Sequence, residues 1–141
     1  IILGPGSLYT SVIPNLLVDG VTDAIMNSSA KKIYVCNIMS QPGETDNYSV
    51  ASHVNALFAH ANGQKIIDAV LVNNSLPENI SEGYAKSGST PVRLDMENIA
   101  PIGIEVVSQK LIQENKDGLV RHSSNRVARA VYYWYKKVTR K

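Results

Sequence analysis

The run Ala69-Val70-Leu71-Val72 has no polar residue at alternating positions, so a strand built from it has to be covered on both faces. A parallel sheet with helices above and below meets that demand. The opening Ile1-Ile2-Leu3 and the run Lys32-Ile33-Tyr34-Val35-Cys36 look like strands of the same kind, and residues 91–94 and 103–107 are further strand candidates. Helical segments fall between them. Residues 12–17 form a short turn, and residues 19–27 place Val21, Ala24, Ile25 and Ser28 on one face. Ser49 caps a helix reaching about residue 61, with an apolar stripe of Val50, Val54, Leu57, Phe58 and Ala61. Pro77 opens a helix continued by residues 78–85, and Ser123 or Ser124 caps a terminal helix with Val127, Ala130, Val131 and Trp134 on its inner side. Strands alternating with helices in this way predict an open, mostly parallel α/β sheet with right-handed crossovers.

A chain of 141 residues suits one domain, and 44% apolar with 18% charged residues is the composition of a globular protein. The net charge of +2 is too small to argue for a general nucleic-acid binder, and the basic residues near the C-terminus suit a solvated helix face. Cys36 is the sole cysteine, which excludes an intrachain disulfide framework and a Cys-rich metal site and suits a cytoplasmic setting. No signal peptide or membrane span stands out. Because the chain opens directly on a strand and without Met, we expect residues 1–141 to be the C-terminal portion of a single larger α/β domain.

Ligands of open α/β sheets sit beyond the carboxyl ends of the strands, which brings residues 4–11, 37–45 and 73–76 to one rim. The first of these, Leu3-Gly4-Pro5-Gly6-Ser7-Leu8-Tyr9-Thr10-Ser11, has the makings of an anion cradle. Gly4 and Gly6 let backbone approach a ligand, Pro5 fixes one φ, and Ser7, Thr10 and Ser11 offer hydroxyls ahead of a helical turn. An ordinary β-to-α turn uses the same residues, so the spacing by itself leaves both readings open.

In the second loop, Asn37 offers a donor and an acceptor, Thr45 and the Gly43 amide suit a phosphate or a ribose hydroxyl, and Glu44 and Asp46 could hold Mg²⁺ through water. Against this stands a polar surface loop in which Thr45 or Asp46 caps the next helix. Arg121, next to a helix N-terminus, either clamps an anion or pairs with an acid such as Asp117. The ring of Tyr84 either stacks on a ligand or packs at a helix end. His53, His60 and His122 lack zinc spacing, no G-x-S-x-G elbow occurs, and Cys36 falls inside a strand, so nucleophilic catalysis finds no support.

The stretches Gly4-Pro5-Gly6-Ser7-Leu8-Tyr9-Thr10-Ser11-Val12-Ile13-Pro14-Asn15-Leu16-Leu17 and Asn37-Ile38-Met39-Ser40-Gln41-Pro42-Gly43-Glu44-Thr45-Asp46 closely resemble the CofD-like family, nearest its YvcK-type gluconeogenesis-factor branch. The resemblance runs over essentially the whole chain. It implies a Rossmann-like three-layer α/β/α fold and a nucleotide ligand: a UDP-sugar such as UDP-N-acetylglucosamine for that branch. For the related 2-phospho-L-lactate transferases it implies a guanosine diphospho-lactate donor with Mg²⁺. By the same resemblance Tyr84 and Arg121 match positions that hold the UDP-sugar. The family's opening glycine-rich strand-turn motif and its Asp-Asp-Gly-Gly-type loop do not occur here. The resemblance therefore leads us to expect a cytoplasmic nucleotide-sugar-binding factor for gluconeogenic growth and cell shape. Gly4, Pro5, Gly6, Ser7, Ser11, Asn37, Thr45, Tyr84 and Arg121 would bind the ligand, with no catalytic residue and no protein-held metal. A Mg²⁺-dependent phospholactyl transferase is the alternative, a protein-interaction module using the basic terminal helix is a third, and a homo-oligomer stays open.

Overall fold

The computed structural model describes residues 1–75, 82–114 and 119–140. Four strands form the main sheet: β1 (Ile2–Leu3), β2 (Ile33–Val35), β3 (Ala69–Asn73) and β4 (Glu105–Gln109), ordered as numbered and all parallel. The register pairs Leu3 with Tyr34, Tyr34 with Val70, and Leu71 with Val107.

This pairing explains the missing alternation in Ala69-Val70-Leu71-Val72. Successive side chains of a strand point to opposite faces. Leu3, Tyr34, Val70 and Val72 enter one cluster with Ile13, Leu16, Val54, Leu57 and Ile99. These come from α1 (Ile13–Leu16), α3 (Val50–His60) and α5 (Met96–Ile99). Ile33, Val35, Ala69 and Leu71 enter the opposite cluster with Leu111 and Trp134, the latter on α6 (Ser124–Thr139). The result is the expected three-layer α/β/α arrangement with a core on each side of the sheet. Trp134 also donates its ring N–H to Glu105 Oε2 at 3.0 Å, and Lys137 pairs with Glu105 Oε1 at 2.8 Å. These two bonds tie α6 to β4. On the other face, Ser49 caps α3 through the Ser52 N–H, and buried Asp95 accepts from the Ala51 N–H at 3.1 Å.

Several boundaries differ from the sequence expectations. Residues 91–94 form no strand: Pro91 lacks an N–H, and the segment makes one antiparallel bridge, Met39 to Pro91. The strand expected at residues 103–107 begins two residues later, after Gly103 takes φ +71°. The helix expected from residue 19 is α2 (Val21–Asn27), entered through Gly20 at φ +80°. The turn expected from residue 12 begins at Leu8 as a π-helical turn (Leu8–Val12), in which the Val12 N–H reaches the Ser7 carbonyl at 3.0 Å. Thr10 and Ser11 are therefore helical. The helix after Pro77 is described as α4 (Glu82–Ser87), while residues 76–81 of that expectation, with the Leu76 end of its loop, lie outside the described residues. An antiparallel hairpin of β5 (Ile112–Glu114) and β6 (Val120–His122), unanticipated from sequence, leads into α6.

Candidate functional site

The loop after β1 is shaped by close backbone approaches. Gly4 has φ +76°, and a Cβ there would stand 3.0 Å from the Val35 carbonyl oxygen. A Cβ on Gly6 would stand 3.1 Å from Ser11 Cβ. Both glycines are thus fixed by the packing of the loop on β2 and on the π-helical turn. Ser7 caps that turn. Its hydroxyl accepts from the Thr10 N–H at 3.3 Å and the Thr10 O–H at 2.6 Å, and donates to Glu44 Oε2 at 2.6 Å.

Pro5, Gly6 and Ser7 form one wall of a cavity of about 320 Å³ at the carboxyl ends of β1 and β2. Asn37, Ile38, Met39 and Gln41 form a second wall, and Val120, Arg121 and His122 on β6 form the third. Five of the expected residues, Pro5, Gly6, Ser7, Asn37 and Arg121, therefore meet in one place. Asn37 is oriented by donating its amide to Gln41 Oε1 at 3.3 Å. Arg121 is exposed on the short strand β6, just ahead of the Ser123 cap of α6, and Asp117, its alternative partner, lies outside the described residues.

The other four expected residues stand elsewhere. Gly4 and Ser11 lie behind the loop, lining a separate hollow with Asn15 and Leu16. Thr45 is fully buried; its hydroxyl accepts from the Gln41 N–H at 2.8 Å and closes the loop on itself, so it faces inward. The ring of Tyr84 packs with Ile38, Met39 and Ile112. Its hydroxyl accepts from the Val120 N–H at 3.0 Å, which braces the strand carrying Arg121 instead of reaching the cavity.

Sequence reasoning missed Gln41 and His122 as cavity residues. Gln41 falls midway between Asn37 and Thr45 and His122 follows Arg121, but the hairpin that brings His122 to the cavity was not foreseen. Burial lowers the His122 pKa, opposed by the neighbouring Cys36 carbonyl, and its Nε2 is buried with no hydrogen-bond partner. Burial pushes the Cys36 thiol up to about 12, so it stays protonated and is no nucleophile.

Two larger hollows lie away from this convergence of the loops. One of about 1040 Å³ between β1 and α6 is walled by Ile2, Val127, Val131 and Tyr135. Another of about 500 Å³ beside β4 is lined by Lys110, Arg126, Arg129 and Lys137, of which Arg126 donates to the Ile112 carbonyl and Lys137 pairs with Glu105.

The two carboxylates of the second loop are each tied locally: Asp46 accepts from the Gly43 N–H at 2.7 Å, and Glu44 accepts from the Ser7 hydroxyl at 2.6 Å.

Residues 1–112 match the family model described as 2-phospho-L-lactate transferase CofD. The chain belongs to the CofD family. Relatives place it on the YvcK-type side of this CofD family. It is 43% identical over 129 residues to the gluconeogenesis factor of Bacillus subtilis, covering 91% of this chain and 40% of that protein. It is 40% identical over 132 residues to the gluconeogenesis factor of Halalkalibacterium halodurans, covering 93% of this chain and 40% of that protein. A crystal structure from Bacillus halodurans superposes with a TM-score of 0.87 at 40% identity, over 94% of this chain and 42% of the other. The chain thus spans well under half the length of these CofD-family relatives. No helix among the described residues is long and apolar enough to cross a membrane.

Proposed function

We infer that the cavity between the Pro5-Gly6-Ser7 loop, Asn37 and Arg121 binds the diphosphate of a nucleotide-sugar of the UDP-N-acetylglucosamine type. The observation that carries this reading is the convergence of the glycine loop, an amide and a guanidinium on one cavity beyond the strand ends. Gly6 and Ser7 present backbone to the phosphates, Asn37 orients through its amide, and Arg121 supplies positive charge with bidentate geometry. Gly4 and Ser11 shape the loop from behind, Thr45 holds the second loop closed, and Tyr84 braces β6.

In this reading residues 1–141 are one part of a larger nucleotide-binding domain, and the protein is a cytoplasmic factor for growth on gluconeogenic carbon sources and for cell shape. The name carried by its relatives supports the first role. The family model's transferase description supports a phospholactyl transferase as the second reading.

Calorimetric titration of UDP-N-acetylglucosamine into wild type and Arg121→Ala tests the proposal. Losing a charge-assisted hydrogen bond of about 1.5–3 kcal/mol weakens binding by about tenfold or more. Equal affinities would remove Arg121 from the site. Turnover of a nucleotide-diphospho substrate would favour the transferase.

A further inference from the structure

Ser7 lines the cavity, yet its hydrogen-bonding capacity is already filled. A hydroxyl has one donor and two acceptor sites. The donor goes to Glu44 Oε2 at 2.6 Å, and the acceptors take the Thr10 O–H at 2.6 Å and the Thr10 N–H at 3.3 Å. What stands one hydrogen bond behind this wall is therefore a carboxylate. Among the described residues the side-chain ion pairs are Arg93 with Glu97 and Lys137 with Glu105, so Glu44 belongs to neither. Arg121 is the one fixed cation lining the cavity among the described residues. A site with one cation and an unneutralised carboxylate penalises each further negative charge on its guest.

We propose that Glu44 sets the charge selectivity of this cavity, favouring a diphosphate esterified at both ends over a nucleotide ending in a free phosphate. The proposal rests on the nucleotide-sugar reading above. A free terminal phosphate carries about one further charge at neutral pH, because its second ionisation falls near 6. One extra charge roughly 6 Å from a carboxylate loses about threefold in affinity at a dielectric constant near 80 and about a hundredfold near 20. The half-exposed rim of this cavity sets the expectation at about tenfold.

The test measures dissociation constants of UDP-N-acetylglucosamine and of UDP for wild type and Glu44→Gln at low salt, with thermal melts as the control for folding. Wild type binds the doubly esterified ligand more tightly. Glu44→Gln, whose amide oxygen still accepts from Ser7, tightens UDP by about tenfold and the esterified ligand less, so the ratio narrows. An unchanged ratio in a well-folded Glu44→Gln overturns the proposal and leaves Glu44 as a loop tie. If Glu44→Gln does not fold, the wild type still decides: tighter binding of UDP than of the esterified ligand overturns it. If wild type binds neither ligand, the nucleotide-sugar reading fails first and the proposal falls with it.

Discussion

Removing the hydroxyl of Tyr84 separates a brace from a ligand contact. In Tyr84→Phe the aromatic ring remains, so any stacking on a ligand survives, while the bond from the Val120 N–H at 3.0 Å is lost. A neutral hydrogen bond contributes about 0.5–1.5 kcal/mol, and a buried N–H left without an acceptor costs about 1–3 kcal/mol. Val120 is half-buried, so the loss lies near 1 kcal/mol. It falls on a strand of three residues, Val120–His122, whose partner is the three-residue strand Ile112–Glu114. Opening of this hairpin becomes roughly five times more frequent, and amide exchange at Val120 and Arg121 accelerates in proportion. A ligand that needs Arg121 in place loses the same factor only if the hairpin is already open part of the time, so its affinity falls by about fivefold at most. Hydrogen exchange followed residue by residue, with calorimetric titration of UDP-N-acetylglucosamine, reads both quantities. Unchanged exchange at Val120 in Tyr84→Phe would refute the brace. Loss of binding with unchanged exchange would return the Tyr84 hydroxyl to direct contact with the ligand.

Other perturbations follow from the same geometry. Gly4→Ala forces an L side chain to φ +76° with its Cβ 3.0 Å from the Val35 carbonyl. The left-handed conformation alone costs about 1–2 kcal/mol, so the urea midpoint falls measurably; an unchanged midpoint contradicts the packing described for this loop. The pKa values of His53 and His122 are lowered by burial, with the Ser49 and Cys36 carbonyls opposing. Protonation then favours the unfolded chain: their contribution is complete above an unfolded-state value of about 6.5 and is lost as pH falls through the lower folded values. Urea midpoints measured from pH 7.5 down to 5 decline accordingly, whereas a flat profile would show that neither ring is buried in its neutral form.

The main sheet was legible in sequence because a strand covered on both faces leaves a run with no polar position. Ala69 and Leu71 feed one core while Val70 and Val72 feed the other. The Ser49 cap was legible because capping is local, one side chain bonding an amide three residues on. The hairpin was not, because Ile112-Gln113-Glu114 and Val120-Arg121-His122 are short, mix polar with apolar residues, and pair across intervening chain. Residues 91–94 carry strand-like composition, yet Pro91 cannot donate to a ladder, so composition misled there. The cavity was half legible. Backbone approach marks itself with glycine, as at Gly4 and Gly6, but the direction in which a polar side chain turns leaves no such mark. Thr45 turns inward to its own loop and Tyr84 reaches Val120, and each is chemically as fit for a ligand as for the bond it makes.

The central claim is that the Gly6-Ser7 backbone and Arg121 hold a diphosphate between them. Crystals of the protein grown with UDP-N-acetylglucosamine test it directly. The account predicts the diphosphate in the cavity of about 320 Å³, within hydrogen-bond distance of the Gly6 or Ser7 amide and of the Arg121 guanidinium. A nucleotide seated instead in the basic hollow beside β4 or in the apolar groove between β1 and α6, with this cavity holding only water, would contradict it.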